Sequence, residues 1–240
     1  MIEITDSLEK KILNKIRIIG TNHISKQSTK NIKEAFLEFK PTSICVELDS
    51  QRAKSLTNPQ KQKINLRMIK ILGFKGFIFF LITKFLQEKL GKIVNVKPGV
   101  DMLFAMNLAK NNYLNLFLID QPIEKTIRFL GKEITFKEKI EFVKDLFKAL
   151  FFPKRQKKIK LDITKVPSQT IIDELMNQLK KKYPSIYKVL IHDRNIFMAK
   201  KIVHLMKKNP EDRFLVVVGA GHEVGLIQSI KHFYNKIEVI

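Results

Sequence analysis

A chain of 240 residues, 45% of them apolar, can bury a full core, which excludes disorder as a description of the whole and fits one domain over 1–240. Its 45 Lys and Arg against 23 Asp and Glu give a formal charge of +22, but the excess is nearly all lysine, spread along the chain, with no Trp and 4 Tyr. Nucleic-acid readers concentrate arginine and interleave aromatics, so that partner is disfavoured. Cys45 is the lone cysteine, so no intrachain disulfide forms and a reducing, cytoplasmic compartment is expected.

The first residues, "MIEITDSLEKKIL", are too charged for a signal peptide. Ile16–Gly20 reads as a strand that stops on a glycine turn, Gly20-Thr-Asn-His23. Ser25 is a good N-cap for a helix with an apolar stripe of Ile32, Ala35, Phe36 and Phe39, ended by Pro41. A second strand, Ser43–Leu48, carries Cys45 and closes on Glu47 and Asp49. The helix between the two strands is long enough to make them parallel.

"DSQRAKSL" is helical and leads into an insertion of helices over about 57–95. Its most apolar part, "IKILGFKGFIFFLITKFLQEKLG", has no charge-free run longer than Gly76–Thr83, short of the roughly 20 residues of a spanning helix. Packing on the core is favoured there, with peripheral contact to a membrane as the alternative. Its phenylalanines also make a homo-oligomer plausible. Val100–Asn111 reads as a helix, Leu114–Ile119 as a strand closing on Asp120, and 122–151 as two helices. Basic, proline-bounded residues, about 152–167, read as an exposed linker. Pro184 suits the first turn of a long helix running through Lys208. Strand Phe214–Val218 then ends on a second glycine turn, Gly219-Ala-Gly-His222, and Ile237–Ile240 is a further strand candidate. Alternation of short β-branched runs with helices predicts an α/β fold, a mostly parallel central sheet flanked by helices.

In such a sheet the loops beyond the carboxyl ends of the strands bind ligands. His23, Glu47, Asp49, Asp120 and His222 all fall at that edge. Two neutral imidazoles and a carboxylate, His23, His222 and Glu47, have the chemistry to hold a divalent metal with positions left for water and substrate. A capping or core role for either histidine is the competing reading, and Glu47 reads equally well as a surface carboxylate. In a chain that prefers lysine, Arg52 and Arg194 mark places where a planar two-pronged donor is needed. Each could grip an anionic group or pair with a helix carboxylate, Arg52 with Asp49 for instance. "GAGHEVG" is too near the end for a dinucleotide unit, position 226 lacks the second zincin histidine, and no Gly-x-Ser-x-Gly is present.

The segments "IIGTNHIS", "SICVELDSQR", "KPGVDMLFAMNLA", "LFLIDQPIEKTIRFL", "HDRNIFMAKKI" and "VVVGAGHEVGLI" resemble, in order, the TraB/PrgY family of pheromone-shutdown proteins, related to the Tiki and GumN metalloproteases. The resemblance implies one α/β domain with its site on the paired Gly-x-x-His motifs. His23, Glu47 and His222 would hold or flank a divalent ion such as Mn, Co or Zn, and Arg194 would grip a substrate carboxylate or the transition-state anion. Catalytic roles then fall to His23, Glu47, Arg194 and His222, and substrate contacts to Asp49, Arg52 and Asp120. The chain departs from its relatives at Asp101, Gln121, Asp193 and Asn195. The leading expectation is a metal-dependent hydrolase of peptides. The alternative is a module that sequesters peptides or anions without turnover.

Overall fold

The computed structural model describes residues 12–22, 26–58, 99–151 and 168–238. Four strands, β1 (Ile16–Thr21), β2 (Ser43–Val46), β3 (Asn115–Leu118) and β4 (Phe214–Gly219), form one sheet in the order β1-β4-β2-β3. Every pairing is parallel, with Ile16 opposite Phe214, Ser43 opposite Phe214 on the other side, and Ser43 opposite Asn115. The helices are α1 (Lys26–Phe39), α2 (Ser50–Thr57), α3 (Val100–Asn111), α4 (Ile123–Glu133), α5 (Phe136–Phe151), α6 (Gln169–Lys182), α7 (Pro184–Tyr187), α8 (Asp193–Lys208) and α9 (Glu223–Glu238). A π turn, Lys188–His192, joins α7 to α8.

β4 is central and wholly buried, so its apolar run is continuous rather than alternating. Phe214, Val216 and Val218 pack with Cys45 against Met198, Ile202, Leu226 and Ile230 of α8 and α9. Leu215 and Val217, pointing the other way, pack with Ile44 and Val46 against Ile32, Met102 and Ala105 of α1 and α3. Helices thus cover both faces. The strand order explains the division. From β1 to β2 to β3 the chain moves one way across the sheet and lays α1 and α3 on one face. It then returns to insert β4 between β1 and β2, which puts α8 and α9 on the other.

Most predicted elements are observed with shifted ends. β2 stops at Val46 rather than Leu48, because the chain turns there: the Leu48 N–H bonds back to the Val46 carbonyl at 2.8 Å. β3 is shorter than Leu114–Ile119 by a residue at each end. α1 ends at Phe39, and Lys40 before Pro41 takes a left-handed conformation, φ 47°. The long helix from Pro184 is interrupted by the π turn. The predicted strand Ile237–Ile240 is corrected: Ile237 and Glu238 end α9, whose apolar residues Leu226, Ile230 and Tyr234 recur every fourth position along one helical face. His23, Ser25, the insertion beyond Asn58 and the basic linker at 152–167 lie outside the described residues. Among the described residues no helix is long and apolar enough to cross a membrane.

Candidate functional site

The carboxyl edge of the sheet gathers six of the seven residues singled out in the sequence; the seventh, His23, lies outside the described residues. Glu47 leaves the end of β2 beside β4, its backbone N–H bonded to the Val217 carbonyl at 3.0 Å. Its Oε2 accepts the Gly219 N–H at 2.7 Å, which fixes the carboxylate over the tip of β4. His222 sits one turn on, at the entry to α9, 5% exposed. Its Nε2 lies 3.3 Å from Glu47 Oε1.

Arg194, in the first turn of α8, ties the cluster together. Its Nε donates to Asp120 Oδ1 at 3.1 Å. Nη2 donates to Asp120 Oδ2 at 2.6 Å and to Glu47 Oε1. Nη1 lies 3.1 Å from His222 Nε2 and donates to the Leu190 carbonyl, in the π turn, at 3.1 Å. An arginine has five N–H donors and no acceptor, so all five are occupied by protein atoms. Burial by itself would lower the guanidinium's pKa, but Glu47 and Asp120 outweigh it and raise it. The charge is fixed.

Arg52 completes the ring from α2. Its Nε donates to Asp49 Oδ2 at 2.7 Å and its Nη2 to Asp120 Oδ2. Asp49 also caps α2, accepting the Gln51 and Arg52 N–H groups at 2.9 and 3.0 Å. Burial pulls its pKa up, yet these bonds and the ion pair prevail and hold it below the usual range. The Asp49–Arg52 helix pair weighed in the sequence therefore exists, but Asp120 turns it into part of a larger network. Arg52 remains 32% exposed at its side chain, so it faces outward where Arg194 does not.

Reasoning from sequence missed three contributors. Asn195 Oδ1 lies 2.7 Å from His222 Nδ1. Because Arg194 can only donate, Nε2 is an acceptor and Nδ1 carries the hydrogen, bonded to Asn195. Asp101, buried in α3, hydrogen-bonds the Thr21 hydroxyl at the tip of β1. Glu223, beside His222, accepts the Gly20 N–H, and burial raises its carboxyl pKa. The side chain fills the space where a Cβ on Gly20 would sit. The available signals were the departures from the family pattern at Asp101 and Asn195, and the adjacency of Asn195 to Arg194 at a helix start. Cys45 is excluded as a nucleophile: it is fully buried mid-strand and burial drives its thiol pKa up.

Metal chemistry can be judged on the described donors. Among the described residues no three of His, Cys, Asp and Glu form a metal-holding group. Glu47 Oε1 and His222 Nε2 do fit as a pair. Their 3.3 Å separation is what two ligands subtend at a tetrahedral centre with bonds of about 2.0–2.1 Å. The Nδ1–H bond to Asn195 is the usual outer-shell contact of a ligating histidine.

The TraB/PrgY/gumN family matches residues 6–232. An uncharacterized protein of Methanocaldococcus jannaschii is 32% identical over 227 residues, 92% of this chain and 54% of that protein. TraB domain-containing proteins of Mus musculus and Homo sapiens are each 20% identical over 241 residues, 89% of this chain and 62% of theirs. The chain therefore spans only 54% to 62% of the length of these curated relatives. With the match running from before β1 to within α9, through all four strands and the arginine helix, the chain belongs to the TraB/PrgY/gumN family.

Proposed function

We propose that this chain is a metal-dependent hydrolase acting on peptides, with Glu47, His222 and His23 holding the ion. One observation carries the reading: an imidazole nitrogen and a carboxylate oxygen, both on buried side chains, stand 3.3 Å apart at the carboxyl edge of a parallel sheet. A divalent ion held there supplies Lewis acidity to a carbonyl and to a water. The chain's own residues do the rest. Asn195 keeps the His222 ring in the tautomer that offers Nε2. The Gly219 N–H, bonded to Oε2, holds Glu47 in place. Arg52, partly exposed, orients an anionic group of the substrate. The peptide substrate class comes from the family resemblance.

Elemental analysis of purified protein, wild type against His222→Ala plus His23→Ala, tests the ion. Metal-stimulated cleavage across a peptide library tests the reaction. The reading requires stoichiometric metal lost in the double variant and cleavage lost with it. Binding of peptides with no product at any metal concentration would identify a sequestering module instead.

A further inference from the structure

The two acceptors proposed for the ion already hold a cation. Arg194 Nη2 donates to Glu47 Oε1 and Nη1 lies 3.1 Å from His222 Nε2, so one planar group spans both. We infer that Arg194 is the site's resident cation and competes directly with the divalent ion for Glu47 Oε1 and His222 Nε2. The inference rests on the metal reading for the identity of the competitor.

The physical case has three parts. Glu47 is 5% exposed, and a buried carboxylate without a counter-charge is costly, so the unloaded chain needs a cation at this point. A lone pair directed at a guanidinium N–H is not available to a metal, and an ion between the two acceptors would meet the guanidinium's like charge at close range. The remaining partners provide a place to withdraw to. Asp120 takes both Nε and Nη2, at 3.1 and 2.6 Å, and the Leu190 carbonyl takes Nη1. The guanidinium can release Glu47 and His222 while keeping Asp120. The carbonyl that helps hold it lies in a π turn, a local widening of the helix of a kind frequent at functional sites.

Competition predicts opposite signs for stability and affinity, which a purely structural arginine would not give. The experiment titrates Mn2+, Co2+ and Zn2+ calorimetrically into chelator-stripped wild type, Arg194→Gln, Arg194→Lys and His222→Ala, with thermal unfolding of each before and after loading. Arg194→Gln is expected to melt lower without metal, to bind the ion about tenfold tighter than wild type, a common size for linked sites, and to gain more in melting temperature on loading. Arg194→Lys, whose ammonium has three donors rather than five, falls between. It carries the test if the Gln variant does not fold. Binding by the Arg194 variants with none by wild type supports the inference. Equal or weaker binding by the Arg194 variants, with binding lost in His222→Ala, overturns it and leaves the metal reading standing. No binding by any variant, or binding indifferent to His222→Ala, overturns both.

Discussion

Asn195 Oδ1 lies 2.7 Å from Nδ1 of His222, and the preceding residue, Arg194, lies against the ring's other nitrogen. Two successive side chains of one helix turn thus fix the orientation and the tautomer of a buried imidazole. Asn195→Ala should cost about 1–3 kcal/mol, since it leaves a buried N–H without its acceptor. It should also shift His222 toward the Nε2–H tautomer. Asn195→Asp keeps an acceptor at the same place and should restore the Nδ1–H form. Urea denaturation gives the energy, and nitrogen chemical shifts of the His222 ring report the tautomer.

Gly225 is tied to the same bond. A Cβ built there would fall 2.4 Å from Asn195 Nδ2, so Gly225→Ala should force the amide away from His222 and cost about 1–3 kcal/mol as overpacking. The two positions are coupled. With Asn195 already truncated the clash is gone, and Gly225→Ala should then cost little or even stabilise the helix. A double-mutant cycle on Asn195 and Gly225 should return a coupling of about 1 kcal/mol or more, and additivity would show that the amide is not held by this contact.

What was legible in the sequence follows from the same physics. β2 and β4 are buried on both faces, so "SICV" and "FLVVVG" stand out as unbroken apolar runs. The expected glycine turn after β4 is found at Ala220–His222, whereas Gly20 lies within β1, paired with Val218. Composition could not show the order β1-β4-β2-β3, which brings Glu47 rather than Asp120 beside His222. Nor could it show that Arg194 would spend every donor on the protein, because that depends on the π turn at Lys188–His192, whose Leu190 carbonyl accepts from Nη1. Ile237–Ile240 misled because a short β-branched run at the end of an amphipathic helix has the same local pattern as a strand. Asn195 was visible as a departure from the family pattern beside an arginine, with nothing to show that it would meet His222.

Asp120 shows why arginine was needed at two positions. Its carboxylate accepts from Nη2 of Arg52 and from Nε and Nη2 of Arg194, and its side chain is 1% exposed. Asp120→Asn keeps the shape but removes the charge both guanidiniums share. It should destabilise by about 3–5 kcal/mol at neutral pH, the usual cost of breaking a buried pair from one side. Arg52→Lys, at the more exposed end, should cost well under half of that. Denaturant midpoints at unchanged m-value would check both, and equal losses would mean that Asp120 is held by neither arginine in particular.

Away from the site, Glu138 closes a capping box with Thr135. Its Oε2 accepts the Thr135 N–H and hydroxyl at 2.9 and 2.8 Å, while Thr135 Oγ1 accepts the Glu138 N–H at 3.2 Å. Oε1 accepts the Ser185 N–H at 2.7 Å, which joins the start of α5 to the first turn of α7. Burial pushes the carboxyl pKa up, but the hydrogen bonds from Thr135 and Ser185 are stronger and hold it below the usual glutamate value. A carboxyl whose folded pKa is depressed contributes stability that is complete above its unfolded pKa, about 4.3. That contribution declines as the pH falls through the folded value. Glu138→Gln should therefore cost about 1–2 kcal/mol at pH 7, and the gap to wild type should narrow steadily below about pH 4. Denaturation curves for both proteins across that range decide it: a gap that stays constant would show that shape, not the carboxylate's charge, holds the two helices together.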